Sequence, residues 1–172
     1  MNTFKISGIL FALLFGTVLT IGLTSESEST ITAEIAIDAP QPVVLRVLND
    51  NSAYPAWNPY VRKVIDCAQH KRQTIYQIGN RQFVLNENVF MDHDKNCVCF
   101  KSVDSLKHAY LYRINQVFYL HSLPDGSSEV RYKLTYSTVS IPTRLFNYIF
   151  LKRKVSRMVE DNLLALKAYI QG

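Results

Sequence analysis

The sequence predicts an α+β fold: one curved antiparallel sheet wrapped around a long C-terminal helix, preceded by an N-terminal transmembrane or signal helix. Three observations predict it. Residues 60–139 read as successive strands separated by turn signals. Val155, Met158, Val159, Leu163, Leu166, Tyr169 and Ile170 recur at helical spacing, while Lys154, Arg157, Glu160, Asp161, Lys167 and Gln171 fill the opposite side. Residues 6–24 carry no charge over 19 positions, about the length that crosses a bilayer core of ~30 Å.

The 172 residues suffice for one ordinary domain plus an appendage. Residues 1–24 form the N-terminal membrane anchor or signal segment, 25–30 (SESEST) a polar linker, and 31–172 the folded domain. The apolar segment follows Lys5, and Glu26 and Glu28 come after it; the next cation is Arg46. That asymmetry puts the folded domain on the extracytoplasmic side of a single-pass protein. Cleavage would instead release it as a secreted or periplasmic domain, although no Ala-x-Ala site is present. The chain carries 19 cations against 14 anions, a net charge of +5. The one dense basic cluster is Lys152-Arg153-Lys154 with Arg157, which excludes the extended basic face of a nucleic-acid binder.

The elements follow in order. Residues 31–37 alternate, with Ile31, Ala33, Ile35 and Ile37 on one face, as in a half-buried strand. Pro40 and Pro42 suit a helix start, and 43–48 supplies its apolar stripe. The helix cannot continue through Trp57-Asn58-Pro59, because Pro59 lacks a donor and forces Asn58 into an extended conformation. Residues 54–60 (YPAWNPY) are therefore a corner between helix and sheet. Gly79-Asn80 separates strands at 73–78 and 82–91. The polar turn 92–96 leads to 97–103. Pro124-Asp125-Gly126-Ser127 joins 109–123 to 129–139, where Val130, Tyr132, Leu134 and Tyr136 share one face.

The stretch Ile35-Ala36-Ile37-Asp38-Ala39-Pro40, the helix at 43–50, the corner Tyr54-Pro55-Ala56-Trp57-Asn58-Pro59-Tyr60 and the C-terminal Leu163-Leu164-Ala165-Leu166-Lys167 resemble the START-related SRPBCC superfamily. The likeness is to its polyketide cyclase/dehydrase and lipid-transport type and covers residues 32–171. It implies a helix-grip fold over a deep apolar cavity, and a domain that binds a hydrophobic small molecule or lipid without a cofactor. Some members of that superfamily are enzymes and others are binders, so the resemblance leaves catalysis open.

Polar residues on apolar strand faces are the candidate site. Glu87 interrupts the row Phe83, Leu85, Val89, Met91, and Gln116 sits between Ile114 and Phe118. A buried carboxylate costs several kcal/mol unless paired. Either Glu87 and Gln116 anchor a ligand, with Trp57, Tyr76, Tyr112, Tyr132, Tyr136 and Met158 lining the cavity, or a bulge returns Glu87 to solvent and the aromatic residues are core. Glu87 could also serve as the acid or base of a cyclase or dehydratase. A third reading is a protein-interaction domain whose own side chains fill the cavity. Phe146 and Phe150, beside Lys152, Arg153, Lys154 and Arg157, suit an anionic lipid surface or pack as core at a helix start. The four histidines (His70, His93, His108, His121) have no metal-site spacing, so no metal is expected. Cys97 and Cys99 share a face, and either could pair with Cys67.

Overall fold

Among the described residues, alternating strands build a seven-stranded antiparallel sheet in the order β1-β7-β6-β5-β4-β3-β2. The computed structural model describes residues 27–172 except 69, 93, 104–110 and 139, together with 16–18, 20, 21, 23 and 24. The strands are β1 (Glu28–Ile37), β2 (Val61–Ala68), β3 (Lys71–Ile78), β4 (Arg81–Asp92), β5 (Cys97–Ser102), β6 (Leu111–Ser122) and β7 (Ser128–Thr138). Helices α1 (Gln41–Asn49) and α2 (Tyr54–Trp57) connect β1 to β2, at opposite edges of the sheet. After β7 come α3 (Ile141–Phe146), a π-helical turn (Asn147–Leu151) and the long α4 (Lys152–Gln171).

The sheet curves around α4, which packs on β1 and touches β7 and α2. Val155, Val159, Leu163 and Leu166 are buried along the helix's inner stripe. They meet the alternating inner residues of the sheet, among them Ile31, Val98, Phe100, Phe118, Val130 and Tyr132. The corner at Trp57 forms as its prolines require. The helix stops there, Asn58 is extended (φ −88°, ψ 111°), and its amide closes on the Tyr54 carbonyl at 3.0 Å.

Turn chemistry fixes the register. Gly79 adopts φ +60°, which a glycine reaches without a Cβ clash, and the two-residue loop brings Ile78 opposite Arg81. In the β6–β7 turn, Asp125 Oδ1 accepts from the Ser127 amide at 3.0 Å and its hydroxyl at 2.6 Å, and Gly126 takes φ +85°.

Several expectations change. The last three residues of the stretch read as linker belong to β1, where Glu28, Ser29 and Thr30 pair with Ser137, Tyr136 and Thr135. Their β-ladder partners on β7 outweigh the polarity that reads as a linker. The N-terminal apolar segment lies largely outside the described residues. Its described part within 16–24 is helical, with Thr20 and Thr24 hydroxyls donating one turn back to the Gly16 and Thr20 carbonyls. Among the described residues no helix is long and apolar enough to cross a membrane.

The three cysteines are free thiols. Cys97 and Cys99 lie on one face of β5 with their sulfurs 3.8 Å apart. Cys67 is exposed on β2, and strands β3 and β4 stand between, so the pairing left open in the sequence does not form.

Candidate ligand cavity

Between the sheet and α4 lies a cavity of about 600 Å³, within the range of small-molecule sites. Phe83, Leu85, Leu111, Ile114 and Leu134 form its sheet wall, and Leu151, Val155, Met158 and Val159 its helix wall. The exposed Gly79, Asn80, Arg81, Phe146 and Lys154 frame a mouth. The buried Gln116, Tyr132 and Asn162 close the inner end.

The inner end rests on a buried polar network. Glu87 is only 1% exposed. It faces inward because its strand keeps strict alternation. Its neighbour across β3 is Arg72, equally buried, whose Nε donates to Glu87 Oε2 at 2.9 Å. The Arg72 guanidinium sits between the Tyr54 and Phe100 rings, 4.2 and 3.8 Å from their centroids, an arrangement suited to a delocalised cation. Its Nη1 donates to Asn51 Oδ1 at 3.0 Å, tying the α1–α2 loop to the sheet.

Thr74 donates to the same Glu87 oxygen at 2.5 Å. Gln116 Nε2 donates to Glu87 Oε1 at 3.1 Å and to the Tyr76 hydroxyl at 2.9 Å. The Tyr132 hydroxyl donates to Gln116 Oε1 at 2.7 Å. Burial pushes both the Tyr76 and Tyr132 hydroxyls well above the ordinary phenol range, so both stay protonated as donors.

Of the residues singled out in the sequence, Tyr76, Gln116, Tyr132, Tyr136 and Met158 line the cavity. Glu87 lies beneath it, saturated by its own partners. Two do not line it. Trp57 is core, edge-on to Tyr54 at 4.8 Å and to Phe118 at 6.2 Å. Tyr112 is displaced by a β-bulge between Tyr112 and Asn115, where Arg113 takes φ +53°. The extra residue reverses the alternation, so Leu111 turns to the cavity instead. The structure also adds Arg72 to the network and Asn162 to the inner end, and it puts Lys154, read from the sequence as a surface residue, at the mouth. A signal for Arg72 was present: the two-residue Gly79-Asn80 turn puts position 72 directly opposite Glu87.

The surface-directed residues divide. Phe146 (42% exposed) and Phe150 (61%) stand out with Tyr148 and Ile149, their rings 5.8 Å apart, and Lys152, Arg153, Lys154 and Arg157 are exposed beside them. Asn147 points inward. It accepts from the Tyr136 hydroxyl at 2.7 Å and donates to Ser29 Oγ at 2.9 Å, pinning the π-helical turn to β7 and β1. Among the described residues no group of His, Cys, Asp or Glu is arranged to hold a metal.

No family model matches the sequence, and no curated protein matches it. Solved structures do. A START superfamily protein from Mycobacterium smegmatis superposes with a TM-score of 0.67 at 16% identity, covering 83% of this chain and 97% of its own. An aromatase/cyclase from a Streptomyces species gives 0.68 at 12%, covering 84% and 94%. A major latex-like protein from Panax ginseng gives 0.63 at 12%, covering 86% and 100%. The chain therefore has the START/SRPBCC fold, as the opening and closing motifs imply. At these identities the fold is what it shares with them.

Proposed function

We propose that this protein is a binding module that holds a hydrophobic small molecule or lipid between its sheet and C-terminal helix, tethered to a membrane by its N-terminal segment. The observation that carries this is the open cavity of about 600 Å³, walled by aliphatic and aromatic side chains and closed by a few fixed polar groups. Apolar ligand surface leaving water there gains roughly 25 cal/mol per Å². Structures of the same fold include an aromatase/cyclase, but Glu87 is a poor acid or base here. Its oxygens are occupied by Arg72, Thr74 and Gln116 beneath the cavity. The open volume also argues against a self-filled interaction domain.

The mouth supports membrane exchange. Phe146, Tyr148, Ile149 and Phe150 present an exposed apolar rim, and Lys152, Arg153, Lys154 and Arg157 surround it with charge suited to anionic headgroups. In this reading the domain sits on the extracytoplasmic side and takes its ligand at that surface. Native mass spectrometry of gently purified protein lacking residues 1–24 tests the binding module. Wild type carries a releasable apolar mass, and Leu134→Trp, which places an indole in the cavity, does not. A clean apo mass that takes up nothing from a lipid extract would sink the proposal.

A further inference from the structure

The charges that line the cavity are of one sign. Among the described lining residues they are Arg81 and Lys154, and no aspartate or glutamate joins them. Neither forms an ion pair with a described residue.

Their placement follows from the periods of their elements. Arg81 opens β4 and shares a face with Phe83 and Leu85, because side chains alternate along a strand. The tight Gly79-Asn80 turn fixes this row by setting Ile78 opposite Arg81. Lys154 lies three positions after Leu151 and four before Met158, the spacing of neighbours on one helix face, and all three line the cavity. One cation therefore heads the sheet wall and the other heads the helix wall. Both are exposed, which leaves apolar stems on the rim and charged heads in water.

The far end has its protons committed. Tyr76 donates to Glu87 Oε1 at 3.4 Å, and Tyr136 donates to Asn147 Oδ1 at 2.7 Å. Gln116 gives its amide to Tyr76 and Glu87, and Tyr132 gives its proton to Gln116. Arg72, the cation beneath them, is matched by Glu87. An anion pushed to that end would meet these occupied donors with a carboxylate below them. A buried charge without a partner is strongly disfavoured. The inner row of β4 thus runs from an unpaired cation at the mouth, through two apolar residues, to a carboxylate already paired.

We infer that the ligand is a single-chain amphiphile that enters tail first and leaves an oxyanion head at the mouth, held by Arg81 and Lys154. This rests on the reading of the cavity as a ligand site and adds the ligand's charge and orientation. A volume of about 600 Å³ suits one drug-sized molecule, hence one chain rather than two. A neutral ester of the same chain gains only the burial of its tail.

The test uses the full chain in zwitterionic phosphatidylcholine nanodiscs at about pH 8, where a carboxylate is ionised and Arg and Lys stay charged. Empty nanodiscs serve as the blank. Displacement of the neutral fluorophore N-phenylnaphthylamine is read for decanoate and for methyl decanoate. Each competitor is compared across proteins, so its partition into the bilayer cancels. Arg81→Gln with Lys154→Gln is expected to weaken decanoate about tenfold and the ester less than about twofold. Lys152→Gln with Arg153→Gln removes the same charge outside the cavity and should change decanoate by less than about twofold. In wild type, salt at about 1 M, where the Debye length is ~3 Å, should weaken decanoate but not the ester. The inference is overturned if the cavity pair leaves decanoate unchanged, if the ester weakens equally, or if the outer pair has the same effect; the cavity reading then still stands. No specific fluorophore uptake by wild type overturns both. Should the cavity pair fail to fold, the salt response of decanoate against ester in wild type decides.

Discussion

Replacing Arg72 by Met should destabilise the domain severely, and the structure sets the scale. Arg72 is almost wholly buried, and its Nε holds Glu87 at 2.9 Å. The substitution keeps much of the side-chain volume between Tyr54 and Phe100 but leaves a buried carboxylate without its cation. Breaking one half of a buried pair costs roughly 3–5 kcal/mol, which for a domain of this size lowers Tm by roughly 6–20 °C. Glu87→Leu should cost less. The stranded guanidinium keeps Asn51 at 3.0 Å and the two aromatic faces. The double variant removes both charges and should be more stable than the sum of the two losses by about 2 kcal/mol or more. Urea unfolding of the four proteins, lacking residues 1–24, gives the coupling directly. Additivity within about 0.5 kcal/mol would refute the claim that the two charges are buried for one another.

Two further perturbations probe the surface. Phe146→Ala with Phe150→Ala, in protein lacking residues 1–24, should weaken sedimentation with anionic liposomes about tenfold, since partial insertion of two rings contributes ~1–2 kcal/mol; unchanged binding would discard the membrane-facing role of the rim. Tyr60 donates to Asp161 Oδ2 at 2.6 Å, and burial together with that carboxylate pushes its hydroxyl up to about 12. Because the folded value is the higher, this bond's contribution is complete below about pH 10 and is lost as pH rises towards 12. Tyr60→Phe should therefore cost about 1 kcal/mol at neutral pH, given its partial exposure, and the gap to wild type should close in alkaline unfolding experiments. A gap constant from pH 7 to 12 would contradict the assignment.

Much of the architecture was legible because it depends on local rules. Pro59 had to end a helix at Trp57. The Gly79-Asn80 and Pro124–Ser127 turns had to reverse the chain, and the stripe from Val155 to Leu166 had to find a surface to cover. Glu87 and Gln116 were visible as polar breaks in apolar rows. Arg72 escapes the sequence reading because that strand is placed from Gln73, two residues after its start at Lys71, although the turn already sets its partner. Tyr112 was misplaced because alternation was carried through Arg113, and nothing in that residue type announces a bulge. Asn147 was hidden because the π-helical turn shifts the phase of the pattern, so a polar residue among LFNYIFL points inward while Phe146 and Phe150 point out.

The sequence by itself determined the order of the elements, their inward faces away from the bulge at Arg113 and the π-helical turn, and the fold they share with START-type structures, because period and turn chemistry are properties of neighbours along the chain. The tertiary structure alone decided that Glu87 is spent on Arg72 rather than offered to a ligand, that Trp57 is core, and that Tyr112 is turned away from the cavity. Those outcomes depend on which side chains from distant strands and the closing helix meet in a space without water. There each proton of the network has to be assigned to one acceptor.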